Sequence, residues 1–381
     1  MSGPHGASPG RTSDIRAGEH AAMTHYESTE FKLRERPRTW AVSGVAGFIG
    51  SNLLEALLRL NQSVTGIDNF STGNARNLAQ VQAAVTQEQW RGFRLIDADV
   101  ASIDACRAAC SGADIVLHHA ALGSVPHSMA DPLAAHQSNV TGFLNMLLAA
   151  RDAGVARFIY AGSSAVYGDH PAQQKIETLA ARPLSPYAAT KQIDEVYAEV
   201  FARCYGLNSI GLRYFNVFGP RQDPQGAYAA VIPQWIAGMM RAEPVCIYGD
   251  GETARDFCYI DDVVQANLLA ATTESQAALN QVYNIAVGGR TTLHELFGMM
   301  CALLEPRYPH LRGLRPLYRD FRAGDVRLSQ ADIGKARRLL GYEPRWSVRA
   351  GLDRAIEWYV ANPGKARATP DETPRRQAAF T

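Results

Sequence analysis

The sequence predicts an α/β protein: a doubly wound parallel sheet with a smaller, interleaved C-terminal lobe that binds substrate. Three observations carry this. Strand-like apolar runs alternate with helical patterns over residues 39–215, and helices between consecutive strands imply parallel pairing with right-handed crossovers. A glycine turn, Gly44-Val45-Ala46-Gly47-Phe48-Ile49-Gly50, follows the first apolar run. Beyond Phe215 the texture changes to long loop-like stretches and shorter elements.

Residues 1–38 are rich in Gly, Ser, His and Arg without sustained periodicity, and are expected to be a disordered extension; Met23 inside it is an alternative start. The first strand is Trp40-Ala41-Val42. A helix follows the glycine turn, with Ile49, Leu53, Leu54, Leu57, Leu58 and Leu60 on one face, and the second strand, Val64 to Ile67, ends at Asp68. This order of strand, glycine turn, helix, strand and acid is that of a Rossmann dinucleotide-binding unit. Gly44, Gly47 and Gly50 allow a tight bend, close approach of a pyrophosphate and close helix–strand packing, although glycines alone would suit any tight turn. The helix start at Phe48 and Ile49 offers free N–H groups and a positive dipole end to the phosphates. Asp68 is placed to accept hydrogen bonds from both adenosine ribose hydroxyls, and it would repel a 2′-phosphate, so NAD is favoured over NADP.

The polar segment 69–77, with Asn69, Phe70, Ser71 and Gly73, is expected to close over the adenosine. The third strand, Phe93 to Ile96, leads to Asp99 and Val100; Asp99 suits the adenine amino group and equally suits a helix N-cap. Residues 114–118 form the fourth strand and run into His119, Ala120, Ala121 and Ser124. Small residues at that carboxyl edge let a cofactor lie against the backbone. A long helix is expected over 131–153. Asn139 in its middle needs a partner, either a ribose or a neighbouring loop carbonyl. The fifth strand, 157–161, leads into Ser163 and Ser164; a helix starting at Pro186 carries Tyr187 and Lys191; the sixth strand is 209–214.

Residues 216–230 read as a loop, 232–240 as a helix, and Gly249-Asp250-Gly251 as the tip of a hairpin. A helix over 261–271 returns to the first lobe. A strand over 282–286 and helices over 293–304, 330–340 and 348–360 complete the chain. The expected division is therefore 39–215 plus 259–280 for the dinucleotide domain, 216–258 and 281–361 for the substrate lobe, and 362–381 for a tail.

A net charge of +1 gives no reason to expect nucleic acid or anionic membrane as partners. No apolar run is long enough to span a bilayer and the N-terminus lacks the apolar core of a signal peptide, so the chain is expected in the cytoplasm. Cys106 and Cys110 are spaced four apart without a second pair, so buried thiols are expected rather than a metal site; His118 and His119 are read as structural and no metal is assigned.

Tyr187 and Lys191 are four apart on one helix and project from one face, with Ser163 at the mouth of the preceding strand. A tyrosine is a useful base near neutrality only if its pKa, about 10 when free, falls by roughly three units, or about 4 kcal/mol. One positive charge at about 5 Å supplies around 3 kcal/mol at an effective dielectric near 20. A lysine plus an oxidised nicotinamide ring would therefore suffice. Lys191 is also placed to hold the nicotinamide ribose, and Ser163 to bond the substrate hydroxyl. A packed helix face is the plainer reading of such a pair; its place after a serine-bearing fifth strand in a dinucleotide fold favours chemistry.

The glycine turn, Asp68, Ser163 with Tyr187-x-x-x-Lys191, and Arg213-Tyr214-Phe215-Asn216 resemble the extended short-chain dehydrogenase/reductase superfamily. Within it the chain is most similar to bacterial UDP-N-acetylglucosamine 4-epimerases of surface-polysaccharide synthesis. That closer likeness rests on Leu122 to Pro126, Ser185-Pro186-Tyr187-Ala188, Gly226 to Pro233 and Asp250-Gly251-Glu252-Thr253. The resemblance implies an NAD-dependent 4-epimerase, an isomerase acting on UDP-GlcNAc and UDP-GalNAc through a 4-keto intermediate. Tyr187 as phenolate would take the proton of the sugar 4-hydroxyl while the C4 hydride passes to NAD and is later returned to the opposite face. It also implies cofactor contacts at Tyr214, Phe215 and Val217. Substrate contacts are implied at Ser124, Ser163, Ser164, Asn216, Ala230, Val231 and Tyr248, with Arg255 on the diphosphate, Arg322 and Asp325 on uridine and phosphate, and Ser329 as a small gate leaving room for an N-acetyl group. The plainer readings are a surface charge for each arginine and a helix N-cap for Ser329. The family further implies a homodimer through a four-helix contact of the helices bearing Asn139 and Tyr187.

Related 4,6-dehydratases carry an Asp-Glu pair just after the position of Ser163, and decarboxylases a glutamate where Ala165 stands; this chain has Ser164 and Ala165. A UDP-N-acetylhexosaminuronate or UDP-glucose 4-epimerase remains an alternative. A non-catalytic NAD-binding sensor or scaffold is another, and it would tolerate a broken Tyr/Lys pair, which this chain keeps.

Overall fold

The computed structural model describes residues 23–224, 230–321 and 327–363. Seven strands form the central sheet: β1 (Thr39–Ser43), β2 (Ser63–Asp68), β3 (Phe93–Asp97), β4 (Ile115–His118), β5 (Arg157–Ser163), β6 (Ser209–Tyr214) and β7 (Gln281–Ile285). All pair in parallel, in the order β7-β6-β5-β4-β1-β2-β3. Sequence order reverses between β1 and β4, and open α/β sheets bind ligands beyond the carboxyl ends of strands at such a switch point.

The sheet is covered on both faces, and β1 shows how. Trp40 and Val42 point into one core with Leu53, Leu54 and Leu57 of α2 (Phe48–Arg59), while Ala41 points into the other with Phe143, Met146 and Leu147 of α3 (Gly142–Asp152). Alternate side chains of a strand face opposite ways, so a strand buried on both sides reads as a continuous apolar run. The helix Pro186–Tyr205 packs on the sheet near β5 and β6, and the helix Ile260–Thr272 returns to pack against α2, as expected for 261–271.

Several expectations are corrected. The extension 1–38 is not disordered where it is described: α1 (His25–Glu35) is a helix with a capping box between Thr24 and Glu27. It buries Tyr26 and Leu33, and the Gln62 side chain donates to the Leu33 carbonyl at 2.9 Å while accepting from Trp40 Nε1 at 3.1 Å. The 131–153 helix is interrupted by a π-helical turn at Gln137–Thr141 that contains Asn139. Residues 281–285, assigned to the substrate lobe, are the edge strand β7 of the main sheet.

The small lobe is stitched from short, distant strands. Thr291–Thr292, Ala254–Arg255, Leu328–Ala331 and Gln174–Lys175 form one four-stranded sheet in that order. The hairpin at Gly249–Gly251 does not form: Cys246–Tyr248 pairs in parallel with Leu317–Arg319, and Ala254–Arg255 pairs elsewhere. Ser329 lies in the third of these strands rather than capping a helix, and the helix expected over 330–340 runs only Gly334–Leu340. Among the described residues no helix is long and apolar enough to cross a membrane.

Candidate active site

The glycine turn after β1 opens the cleft. Gly44 has φ +69°, and a Cβ there would lie 2.7 Å from Ala120 N; one on Gly50 would lie 2.0 Å from Gly44 O. A side chain at Gly44 would force the turn off the backbone that follows β4, and one at Gly50 would force α2 off the turn. Gly47 is the N-cap of α2 and supplies no side-chain hydrogen bond, so the first-turn amides are left for an outside acceptor. At the end of β2, Asp68 Oδ2 accepts from Ala46 N and Oδ1 from Phe70 N, both at 2.8 Å. Burial raises its pKa, and the two amide bonds oppose that.

Gly44, Gly47, Asp68, Asn69, Ser71, Gly73, Asp99, Val100, His119, Ala120 and Ala121 line one cleft, joined by Thr72, Ala98 and Ser138, which the sequence reading missed. Phe48 and Ile49 form the first turn of α2 beside it, and Phe70 sits at φ +56° in the lip. Asn69 Nδ2 donates to Asp99 Oδ2 at 2.7 Å, tying the ends of β2 and β3 together. Asp99 is not a helix N-cap: Ser102 caps the following helix, while Asp99 Oδ1 accepts from Ala101 N. This cleft of small residues, free helix amides and a strand-end carboxylate fits an adenine dinucleotide.

Behind it Ser43 Oγ accepts from the amides of His119 and Ala120, each at 3.1 Å, which leaves its own proton for His118 Nδ1 at 2.8 Å. Burial drives the His118 pKa well down, helped by the charge of Lys191, and takes His119 down to about 3, so both rings are neutral. His119 Nε2 pairs with the Tyr214 hydroxyl at 2.9 Å, and Asn267 Nδ2 donates to the same oxygen at 2.9 Å. The Phe215 side chain is wholly in the core against Tyr167, whereas Val217 is half-buried in a short strand paired with Cys258.

The residues expected to transfer the proton come from two packed elements, β5 and the Pro186–Tyr205 helix. Ser163 ends β5 in register with Tyr214, and its Oγ accepts from Ala165 N at 3.1 Å. Ser164 and Ala165 lie in the 3-10 turn that follows, so no carboxylate stands there. Ser185 caps the Pro186–Tyr205 helix, placing Tyr187 in its first turn. Tyr187 N donates to Ser128 Oγ at 3.0 Å, Thr190 Oγ1 donates to Tyr187 O at 2.7 Å, and Asn139 Nδ2 donates to Thr190 Oγ1 at 3.0 Å. Of the two partners open to Asn139, the loop is the one it takes: its Oδ1 accepts from Leu122 N at 2.7 Å and Nδ2 reaches Leu122 O at 3.2 Å. Asn139 thus braces the loop and the helix around the cleft. Lys191, 2% exposed, donates to Asp194 Oδ2 at 3.0 Å; Glu195, one residue on, grips Arg213 of β6 through two 2.7 Å bonds.

On the substrate side, Asn216 at φ +32° donates through Nδ2 to Asp256 O at 3.1 Å. Arg255 and Ser329 are Cα partners on adjacent parallel strands, so both side chains emerge from the same face. Asp256, 1% exposed, anchors these strands: Oδ1 accepts from Val287 N and Oδ2 from Gly288 N, both at 3.0 Å, and Oδ2 also from Ala331 N at 3.2 Å. Sequence reasoning missed it, as it missed Ser43, Ser128, Thr190 and Asp194. Ser124 caps a short helix by accepting from His127 N at 3.1 Å; Ala230 is the N-cap residue of the helix Val231–Met240; Tyr248 closes its short strand. Arg322 and Asp325 lie outside the described residues. Cys106 and Cys110 are buried and burial pushes both thiols up to about 12, whereas Cys204 is exposed.

A switch-point cleft for a dinucleotide beside a Ser-Tyr-Lys set defines an NAD-using enzyme of the Rossmann class. Residues 40–286 match the NAD dependent epimerase/dehydratase family, and the chain belongs to that family. It is 33% identical over 325 residues to a putative UDP-glucose 4-epimerase of Methanocaldococcus jannaschii, covering 84% of this chain and 98% of that one. Among solved structures it resembles a UDP-N-acetylglucosamine 4-epimerase from Methanobrevibacter ruminantium in complex with UDP-N-acetylmuramic acid: TM-score 0.77, 35% identity, 85% of this chain and 99% of that one. A UDP-glucuronic acid 4-epimerase from Bacillus cereus, solved with NAD, aligns with TM-score 0.74 and 29% identity over 85% of this chain and 99% of that one. NAD is the cofactor of this enzyme.

Proposed function

We propose that this enzyme, an NAD-dependent nucleotide-sugar 4-epimerase, interconverts UDP-GlcNAc and UDP-GalNAc. The observation that carries the choice of sugar is the pairing of Arg255 with Ser329. It sets a cation suited to a diphosphate beside a side chain small enough to leave room for a C2 N-acetyl group. Bound NAD supplies the hydride acceptor and donor at the sugar C4. Tyr187 takes the proton from the 4-hydroxyl and gives it back, and Ser163 holds that hydroxyl through its free proton-donating capacity. Lys191 supplies the positive charge that favours the phenolate. The braces from Asn139, Thr190 and Ser128 fix the Tyr187 backbone, so the phenol is aimed before substrate arrives.

We also infer a homodimer: Met129, Leu133 and Val196 are 62%, 81% and 55% exposed along the neighbouring helices, leaving an apolar face for a second copy. The sugar assignment is tested by measuring kcat/KM for UDP-GlcNAc, UDP-glucose and UDP-glucuronate on one preparation. The N-acetylated substrate is expected to lead. A higher value for either of the others would reject it.

A further inference from the structure

Lys191 does not stand alone on its helix. One helical turn further along, the Asp194 carboxylate is wholly buried, accepts from Lys191 Nζ at 3.0 Å through Oδ2, and has no hydrogen-bond partner at Oδ1 among the described residues. Burying a carboxylate with one oxygen unsatisfied is costly unless an opposite charge offsets it. The other buried positions of this helix are Ala188, Thr190, Lys191, Ala198 and Phe201, so the charge Asp194 answers on its own helix is that of Lys191.

We propose that Asp194 is a positioning residue of the proton-transfer set: it pins the Lys191 ammonium by one of its three donors and trims the positive field that the pair presents to Tyr187. The idea rests on Tyr187 being the base. Two donors of Lys191 are then left to face the cleft, in a direction fixed by the ion pair. Asp194 also answers an energetic difficulty. A buried lysine without a partner tends to shed its proton, and a neutral lysine gives Tyr187 no help. Burial works against the charged form of Lys191, but Asp194, Tyr187 and Glu195 outweigh it and hold the lysine protonated. The same burial lifts Asp194 above the usual carboxylate range, with Lys191 pulling it back.

The other ionisable groups facing the pair do not substitute for Asp194. His118 and His119 at the end of β4 are neutral through burial, and Tyr160 on β5 is held protonated for the same reason. Glu195 is committed to Arg213 of β6, and Glu199 is paired with Arg203 at the surface.

The test is the pH profile of kcat for Asp194→Asn, purified with its NAD, beside Tyr187→Phe. Removing the negative charge strengthens the field at the phenol and deprives Lys191 of its partner. Both limbs of the profile are therefore expected to move to lower pH, by on the order of one unit. Asp194→Ser, which is smaller and also neutral, is expected to move them the same way. Unchanged limbs, a uniform loss of kcat at every pH, or failure of both neutral variants to fold would each overturn the proposal, the last by making Asp194 only a structural counter-ion. Tyr187→Phe separates this from the reading beneath it: if that variant turns over normally, the base assignment fails whatever Asp194 does.

Discussion

The two lobes are built in opposite ways. In the dinucleotide half β1 to β5 alternate with helices in one parallel sheet, so each piece of its cleft is a short turn or strand end set by the residues beside it. Among the described residues the small lobe has no strand longer than four residues, and its four-stranded sheet draws on residues 174–175, 254–255, 291–292 and 328–331. The first holds its ligand site by local rules of turn, helix start and strand end. The second is tied together by a buried carboxylate, Asp256, whose oxygens take amides from the loop after β7 and from the strand Leu328–Ala331. A family that keeps one cofactor and varies the sugar is well served by this division, because the second lobe can change without disturbing the first.

The contrast can be broken at its local end. Gly50→Ala drives a methyl group against the Gly44 carbonyl, so the turn must open. Complete loss of bound NAD is expected, read by absorbance of the purified protein, together with a large fall in Tm; retention of NAD would show that the turn is not what holds it.

At the non-local end the expected effect is smaller and depends on pH. Asp256 is pushed up to about 6, chiefly by burial, against the lowering effect of its amide bonds. A carboxyl whose folded pKa lies above its unfolded value binds its proton more tightly in the native state. Its contribution to stability therefore declines as pH rises from about 4 to about 6, and is constant above that. The unfolding free energy of the native protein, relative to Asp256→Asn, should fall by on the order of 2–3 kcal/mol across that window. A flat difference would mean that the amides balance burial, and a rise that they outweigh it. Smaller again is the effect of bulk at the gate. Ser329→Tyr is expected to lower kcat/KM for UDP-GlcNAc about tenfold more than for UDP-glucose; equal losses would remove Ser329 from sugar selection.

The same contrast explains what could be read from sequence. β1 through β6 and the glycine turn were legible because each is signalled within a few residues, and Asp68, Ser163, Tyr187 and Lys191 lie at the strand ends and helix start where the sequence put them. β7 was legible as a strand and misplaced in its lobe, since nothing near residue 281 says which sheet it joins. Ser329 was read as a small gate with a helix cap as the plainer alternative; the cap does not form, because the residue pairs in a strand with Arg255, far away in sequence. The His25–Glu35 helix was hidden by the Gly- and Arg-rich stretch before it and by having few apolar residues, and it is held by Gln62 rather than by a strong stripe. The π turn at Asn139 and the pairing of Lys191 with Asp194 leave no periodic trace at all.

The central claim is that a proton-transferring tyrosine and a dinucleotide kept within the same cleft act on one sugar carbon. It is tested most directly by giving the purified enzyme, with no cofactor added, UDP-GlcNAc carrying deuterium at C4. The account predicts an equilibrium mixture of both 4-epimers in which each retains the deuterium. Loss of the label to water, or conversion only when NAD is supplied at every turnover, would contradict it.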